Sequence, residues 1–263
     1  MASHSFFTPL FGLGLAACAM FSQTSHASPE PKSGREYYEL RTYTLKAEKL
    51  PLLDEYLSKA LLPALGRLGI GPIGVFSESM EADKLGVTVL TVFHSPDQPL
   101  TLAAQLAGDV AYQAAAREYL ATLAADPVYE RIEISILGAI SGMPSLINPD
   151  ASKPRMLNLR VYESHNERAA AKKLEMFNLG ELAIFRRTGL SPVFFGEALA
   201  GTRMPNLTYM LVFDDDEARK AAWATFRADP EWIALKAKPE YADKEIVSKV
   251  TNRILTPRPY SGL

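Results

Sequence analysis

The sequence predicts an α+β fold assembled from two copies of one βαββαβ unit. Three observations predict it. Segments recur about 120 residues apart, short apolar segments alternate with period two, and longer stretches carry helical periodicity that ends on glycine.

The recurrence is extensive. RRTGLSPVFFGE (residues 186–197) answers GRLGIGPIGVFSE (66–78), with Arg187 for Arg67, Gly189 for Gly69 and Pro192 for Pro72. YELRTYTL (38–45) is answered by LNLRVYES (157–164), with Leu-Arg-x-Tyr in register. VLTVFHSPD (89–97) is answered by YMLVFDDDE (209–217), and Ala125-Asp126-Pro127 by Ala228-Asp229-Pro230. Four matches in one order indicate duplication.

Each copy has a readable element order. A strand opens it (38–45; 157–164), and a helix follows (50–68; 167–187). Gly69 or Gly189 ends that helix, where a residue with positive φ is needed. Two strands come next (74–78 and 87–94; 193–198 and 207–213), then a second helical region and a last strand (132–140; 246–255). This is the ferredoxin-like split unit, with helices on one sheet face and the other face needing cover. Two tandem copies can supply that cover to each other, sheet to sheet. The spacing shortens between the third strand and Ala-Asp-Pro in the second copy, which predicts an added helical segment in the first, at residues 98–113. The Pro- and Asp-containing stretch 142–154 reads as the linker, so the predicted domains are 28–141 and 155–263.

The first 27 residues contain no Lys, Arg, Asp or Glu, and residues 6–21 are an apolar run too short to span a bilayer comfortably. Polar residues follow, and Ser25-His26-Ala27 fits a small-x-small cleavage site, so 1–27 reads as an export signal to the periplasm or exterior. Leu15-Ala16-Ala17-Cys18 also resembles the bacterial lipobox, which makes a lipid anchor at Cys18 the alternative. No transmembrane helix is expected in the mature chain. Cys18 is the single cysteine, which excludes a disulfide within the chain and a cysteine-based metal or iron–sulfur site. A net charge of −2, with no basic run, argues against nucleic acid as a partner.

YELRTYTL at the start of a βαββαβ unit, and TFRADPEW followed by a strand near the C-terminus, resemble the NIPSNAP family over residues 36–260. That family falls in the dimeric α/β-barrel group. The resemblance therefore implies two sheets closing around an interior, a pseudo-dimeric barrel within one chain. It implies little about function.

Alternation places Glu39, Arg41 and Tyr43 on one face of the first strand and Tyr38, Leu40 and Thr42 on the other. Asn158, Arg160 and Tyr162 share the corresponding face of the second copy. The apolar set is expected against the helices, so the two Arg–Tyr pairs are expected to converge between the sheets. Arginine suits a carboxylate or phosphate, and tyrosine an aromatic or oxygenated ligand. Arg41, Tyr43, Arg160, Tyr162 and Glu197 thus form the candidate site for a small anionic or aromatic molecule. The plainer alternative is that each arginine pairs internally with Glu39, Glu78 or Glu197.

The remaining motifs are structural in character. Asp-Pro at 126–127 and 229–230 reads as an N-cap followed by Pro at the first helical position. Asp214–Glu217 fits an acidic helix start. His94 and His165 stand in no recognisable haem or metal context, and neither GxSxG nor a Gly-rich phosphate loop occurs. No cofactor and no metal are expected. Three functions stay open: a small-molecule binding barrel, an enzyme like the cofactor-independent monooxygenases of the same barrel group, and a non-catalytic interaction scaffold. A homo-oligomer is compatible with each.

Overall fold

Short alternating segments become strands when both of their faces find cover, and here eight do. The computed structural model describes residues 34–81 and 84–263 beside Met1, so the expected export signal and Cys18 lie outside the described residues. The strands are β1 (Tyr37–Lys46), β2 (Ile73–Ser79), β3 (Lys84–Phe93), β4 (Arg131–Ala139), β5 (Met156–Glu163), β6 (Ser191–Ala200), β7 (Asn206–Phe213) and β8 (Lys249–Pro257). All neighbours are antiparallel, and the sheet closes in the order β1-β3-β2-β8-β5-β7-β6-β4. The halves join at their edges. β2 meets β8 through a short pairing, and β4 meets β6 across a register shift between Ile136 and Leu137. The last strand starts later than expected because Ile246 closes a helical turn, Asp243–Ile246.

One layer fills the barrel and two lie outside it. Tyr38, Leu40, Phe76, Leu90, Leu159 and Phe194 belong to the buried cluster inside. Tyr43, Val87 and Val89, from the opposite strand face, pack with Leu53, Leu57 and Leu65 of the first helical run. Phe195, Tyr209 and Leu211 likewise meet Phe177, Phe185 and Trp223 of the second-half helices. The interior is polar only near one end. There Arg253 Nε donates to Glu78 at 2.8 Å and its Nη2 donates to Thr88 Oγ1 at 2.8 Å, beside a gap of about 60 Å³.

The helices start and stop as the local sequence requires. Asn166 Oδ1 accepts from the Ala169 amide and Asp215 Oδ1 from the Ala218 amide, capping Glu167–Met176 and Asp216–Ala228. Gly69 (φ 66°) and Gly189 (φ 84°) take the left-handed conformation just past their helical runs. Each first run contains a wider π turn, Tyr56–Leu61 and Phe177–Glu181. No helix among the described residues is long and apolar enough to cross a membrane.

The expected insertion at 98–113 is corrected. Helices Gln98–Gly108 and Val110–Ala115 stand where Asp216–Ala228 and Pro230–Lys236 stand in the second half. Arg67 donates to Asp109 and Arg187 to Asp229, each across 42 residues of chain, and both aspartates cap the helix that follows. Asp109, not Asp126, therefore corresponds to Asp229. Asp126 caps nothing and instead pairs with Lys49 at 2.5 Å. The Ala-Asp-Pro match misled because three residues are too short to fix a register. Asp109 with Tyr112, against Asp229 with Trp232, was the readable signal.

Because Phe194 is fully buried inside the closed sheet, Phe194→Ala is expected to cost roughly 3–5 kcal/mol of stability. Urea unfolding followed by circular dichroism measures it.

Candidate functional site

The filled interior decides where a ligand can sit. Among the described residues two cavities of ligand size lie between strand faces and helices, one in each half, and a further opening of about 680 Å³ lies beside His165, Lys172 and Pro239. The expected faces are therefore reversed: Tyr38, Leu40 and Thr42 point inward, while Arg41 and Tyr43 line the first outer cavity and Arg160 and Tyr162 the second. The two Arg–Tyr pairs do not converge on a shared interior site. Both faces of β1 and β5 are covered, so apolarity could not say which face met the helices. The expected counterions are corrected as well. Glu197 is exposed near the end of β6 and makes no ion pair among the described residues, and Glu78 is held by Arg253.

The cavities differ in chemistry. In the first half, about 300 Å³ is bounded mainly by apolar residues such as Leu61, Leu65, Leu102 and Leu106. Arg41 Nε donates to Glu39 there at 2.8 Å, so the one cation carries its own counterion. In the second half, about 640 Å³ is bounded by β5, β8 and the helices from 167 to 246. Eight lysine and arginine side chains line it against two acidic ones, Glu181 and Asp243. Trp223, Trp232, Tyr162 and Phe226 provide aromatic wall.

Arg160 is the centre of that cavity. Asn158 occupies the position that Glu39 occupies in β1, and an amide cannot neutralise a guanidinium. Arg160 Nη1 donates to Asn252 Oδ1 at 3.2 Å and Nη2 to the Tyr162 hydroxyl at 3.1 Å. Its guanidinium carbon lies 4.5 Å from the Trp223 ring centroid. No carboxylate lies within ion-pair distance of Arg160 among the described residues, whereas Arg41, Arg253 and Arg258 each have one. Two buried donors, Arg160 Nε and Trp223 Nε1, have no acceptor. A cation of this kind, partly desolvated and without a counterion, is costly unless something anionic visits it.

Behind Arg160 sits an ion pair that the sequence reading missed. The π turn Phe177–Glu181 carries Glu181 to Lys173, whose Nζ donates to Glu181 Oε2 at 2.9 Å. Both side chains are only 2% exposed. Lys173 Nζ also lies 4.7 Å from the Phe177 ring centroid and 5.1 Å from that of Tyr162. Burial holds the Glu181 carboxyl above its usual range, and Lys173 pulls against that shift. Burial also raises the Tyr209 hydroxyl well above the usual phenol range, so it stays protonated. Glu181 was unreadable in sequence because a helical ladder does not pair residues eight apart. His94 and His165 are exposed, and no cluster of metal-ligating residues occurs among the described residues.

With the geometry in hand, the likenesses to known proteins can be placed. Residues 157–262 match the NIPSNAP family model, so the resemblance is borne out over the half that holds Arg160. No curated protein matches the chain. Among solved structures, a candidate monooxygenase from Fusobacterium nucleatum superposes with a TM-score of 0.55 at 9% identity, covering 85% of this chain and 92% of that one. Another from Lactobacillus acidophilus gives a TM-score of 0.55 at 11% identity, covering 85% and 94%. An anthrone oxidase-like protein gives a TM-score of 0.51 at 12% identity, covering 86% and 93%. At such identities the likeness establishes the fold alone.

Glu181→Gln strands Lys173 as a buried charge, so a loss of about 3–5 kcal/mol is expected from chemical unfolding. The double change Lys173→Met with Glu181→Leu is expected to recover most of it, since an apolar pair needs no desolvation.

Proposed function

We propose that this protein binds a small anionic aromatic molecule in the second-half cavity, against Arg160 and between the Trp223 and Trp232 walls. The single observation that carries the reading is Arg160, a partly buried guanidinium without a carboxylate partner among the described residues, in a cavity with a large excess of cationic side chains. Aromatic walls bind planar rings, and the cationic field draws anions. A volume of about 640 Å³ falls within the usual range for small-molecule sites. Arg41 is a weaker candidate for an anion because Glu39 already neutralises it.

The halves read as tandem ferredoxin-like copies, near 28–141 and 155–263, that form in one chain the barrel other members of the group build by dimerising. Their matching strand orders and the parallel Arg67–Asp109 and Arg187–Asp229 contacts support this. Export, by cleavage after Ala27 or lipidation of Cys18, belongs to the same proposal and rests on the N-terminal sequence. Intact-mass analysis from the native host separates the two routes.

The named activities of the structural neighbours favour a second reading, in which the bound molecule reacts with oxygen. Oxygen uptake on mixing protein with a bound aromatic tests that reading.

Naphthalenesulfonate, followed by calorimetry, is the test ligand for binding. Arg160→Ala is expected to weaken it by roughly 10- to 150-fold, the range of a charge-assisted contact worth about 1.5–3 kcal/mol. Arg41→Ala is expected to leave it unchanged. Asn252→Asp, nearly isosteric, puts a carboxylate at the atom that already accepts from Arg160 Nη1, and is expected to weaken binding in the same direction. Binding indifferent to both Arg160→Ala and Asn252→Asp overturns the reading.

A further inference from the structure

Within that cavity, and resting on the binding reading above, we infer that Tyr162 donates a hydrogen bond to a single ligand oxygen, so that the site selects the ionised form of a hydroxyaromatic molecule. A tyrosine hydroxyl has one proton and two acceptor positions. Both acceptor positions of Tyr162 are filled, by Arg160 Nη2 at 3.1 Å and by the Tyr209 hydroxyl at 3.2 Å. Tyr209 is fully buried and donates in that pair, and its ring lies nearly parallel to that of Tyr162, with centroids 5.5 Å apart. The remaining Tyr162 proton has no acceptor among the described residues, and Tyr162 lines the cavity.

The arrangement also decides between classes of anion. A carboxylate prefers two parallel donors from one guanidinium edge. Arg160 cannot offer its Nε edge, because Nε is buried, and one proton each of Nη1 and Nη2 already serves Asn252 and Tyr162. The Tyr162 hydroxyl, backed by that positive charge, is the further donor facing the cavity. That combination suits one oxygen bearing a negative charge, a phenolate or the enolate of a ring ketone. The charged and titratable groups around Tyr162 are Arg160 on β5, Tyr209 on β7, Lys173 over its ring and Glu181 beyond Lys173. Glu181 is spoken for by Lys173, so the field at the hydroxyl favours the anion.

The probe is para-nitrophenol, whose anion is yellow and whose acid form is colourless. Protein in excess is expected to raise the yellow fraction at fixed pH, lowering the midpoint of the probe by about one unit, the size of one good charge-assisted hydrogen bond. Tyr162→Phe keeps the ring and removes only the hydroxyl. It is expected to abolish most of that shift, with circular dichroism unchanged. If naphthalenesulfonate binds through Arg160 but the nitrophenol midpoint is unmoved, or moves equally with Tyr162→Phe, the inference fails and the binding reading stands. If neither probe binds, both fall. If Tyr162→Phe does not fold, a competing series settles the matter on the wild-type protein: nitrophenolate displaced more readily by other phenolates than by benzoate supports the inference, and the reverse order overturns it.

Discussion

A sheet of eight strands that closes on itself has one inside, and here the inside is full. Phe76, Phe194, Tyr38 and their neighbours occupy it, and Arg253 with Glu78 seals the polar remainder. Everything about ligand access follows from that packing. Side chains that would otherwise share a central chamber are displaced to the outer strand faces, where helices arch over them. The cavities at the outer strand faces are each shaped by their own helices.

This division makes electrostatics local. Arg41 and Arg160 stand at matching places in β1 and β5, yet one sits beside Glu39 and the other beside Asn158. A single difference in functional group leaves one guanidinium neutralised and the other free to attract. The lysines and arginines lining the cavity around Arg160 outnumber its acidic side chains, eight to two. Lys173 with Glu181 shows the contrasting solution, a charge pair so well matched that it can be buried almost completely.

Much of the architecture was legible in the sequence. The eight strands and the glycines that end the first helical runs followed from periodicity. The facing of those strands did not follow, for a physical reason. Tyr38 and Leu40 are apolar enough to fill a barrel, and Tyr43 is apolar enough to lie under a helix, so alternation separated the two sets without labelling them. The candidate residues were correctly grouped in pairs, but Glu197 was joined to them on strand adjacency alone, which says nothing about exposure. Lys173, Glu181 and Trp223 were missed because they come from helices whose register over the sheet depends on π turns and on packing. The misplaced insertion had another origin: a short capping motif recurs at Asp126 and Asp229, whereas the contacts that align the helices, Arg67 with Asp109 and Arg187 with Asp229, join residues 42 apart.

The contrast between Glu39 and Asn158 has a consequence for how such a molecule can change over time. Where two identical chains meet about a two-fold axis, every substitution is made twice, and a gain at one site is tied to a loss at its mirror image. Two halves on one chain are free of that bond. One can keep a neutral, self-satisfied face as ballast for the fold while the other tolerates an uncompensated charge, with stability and recognition drifting apart along a single polypeptide.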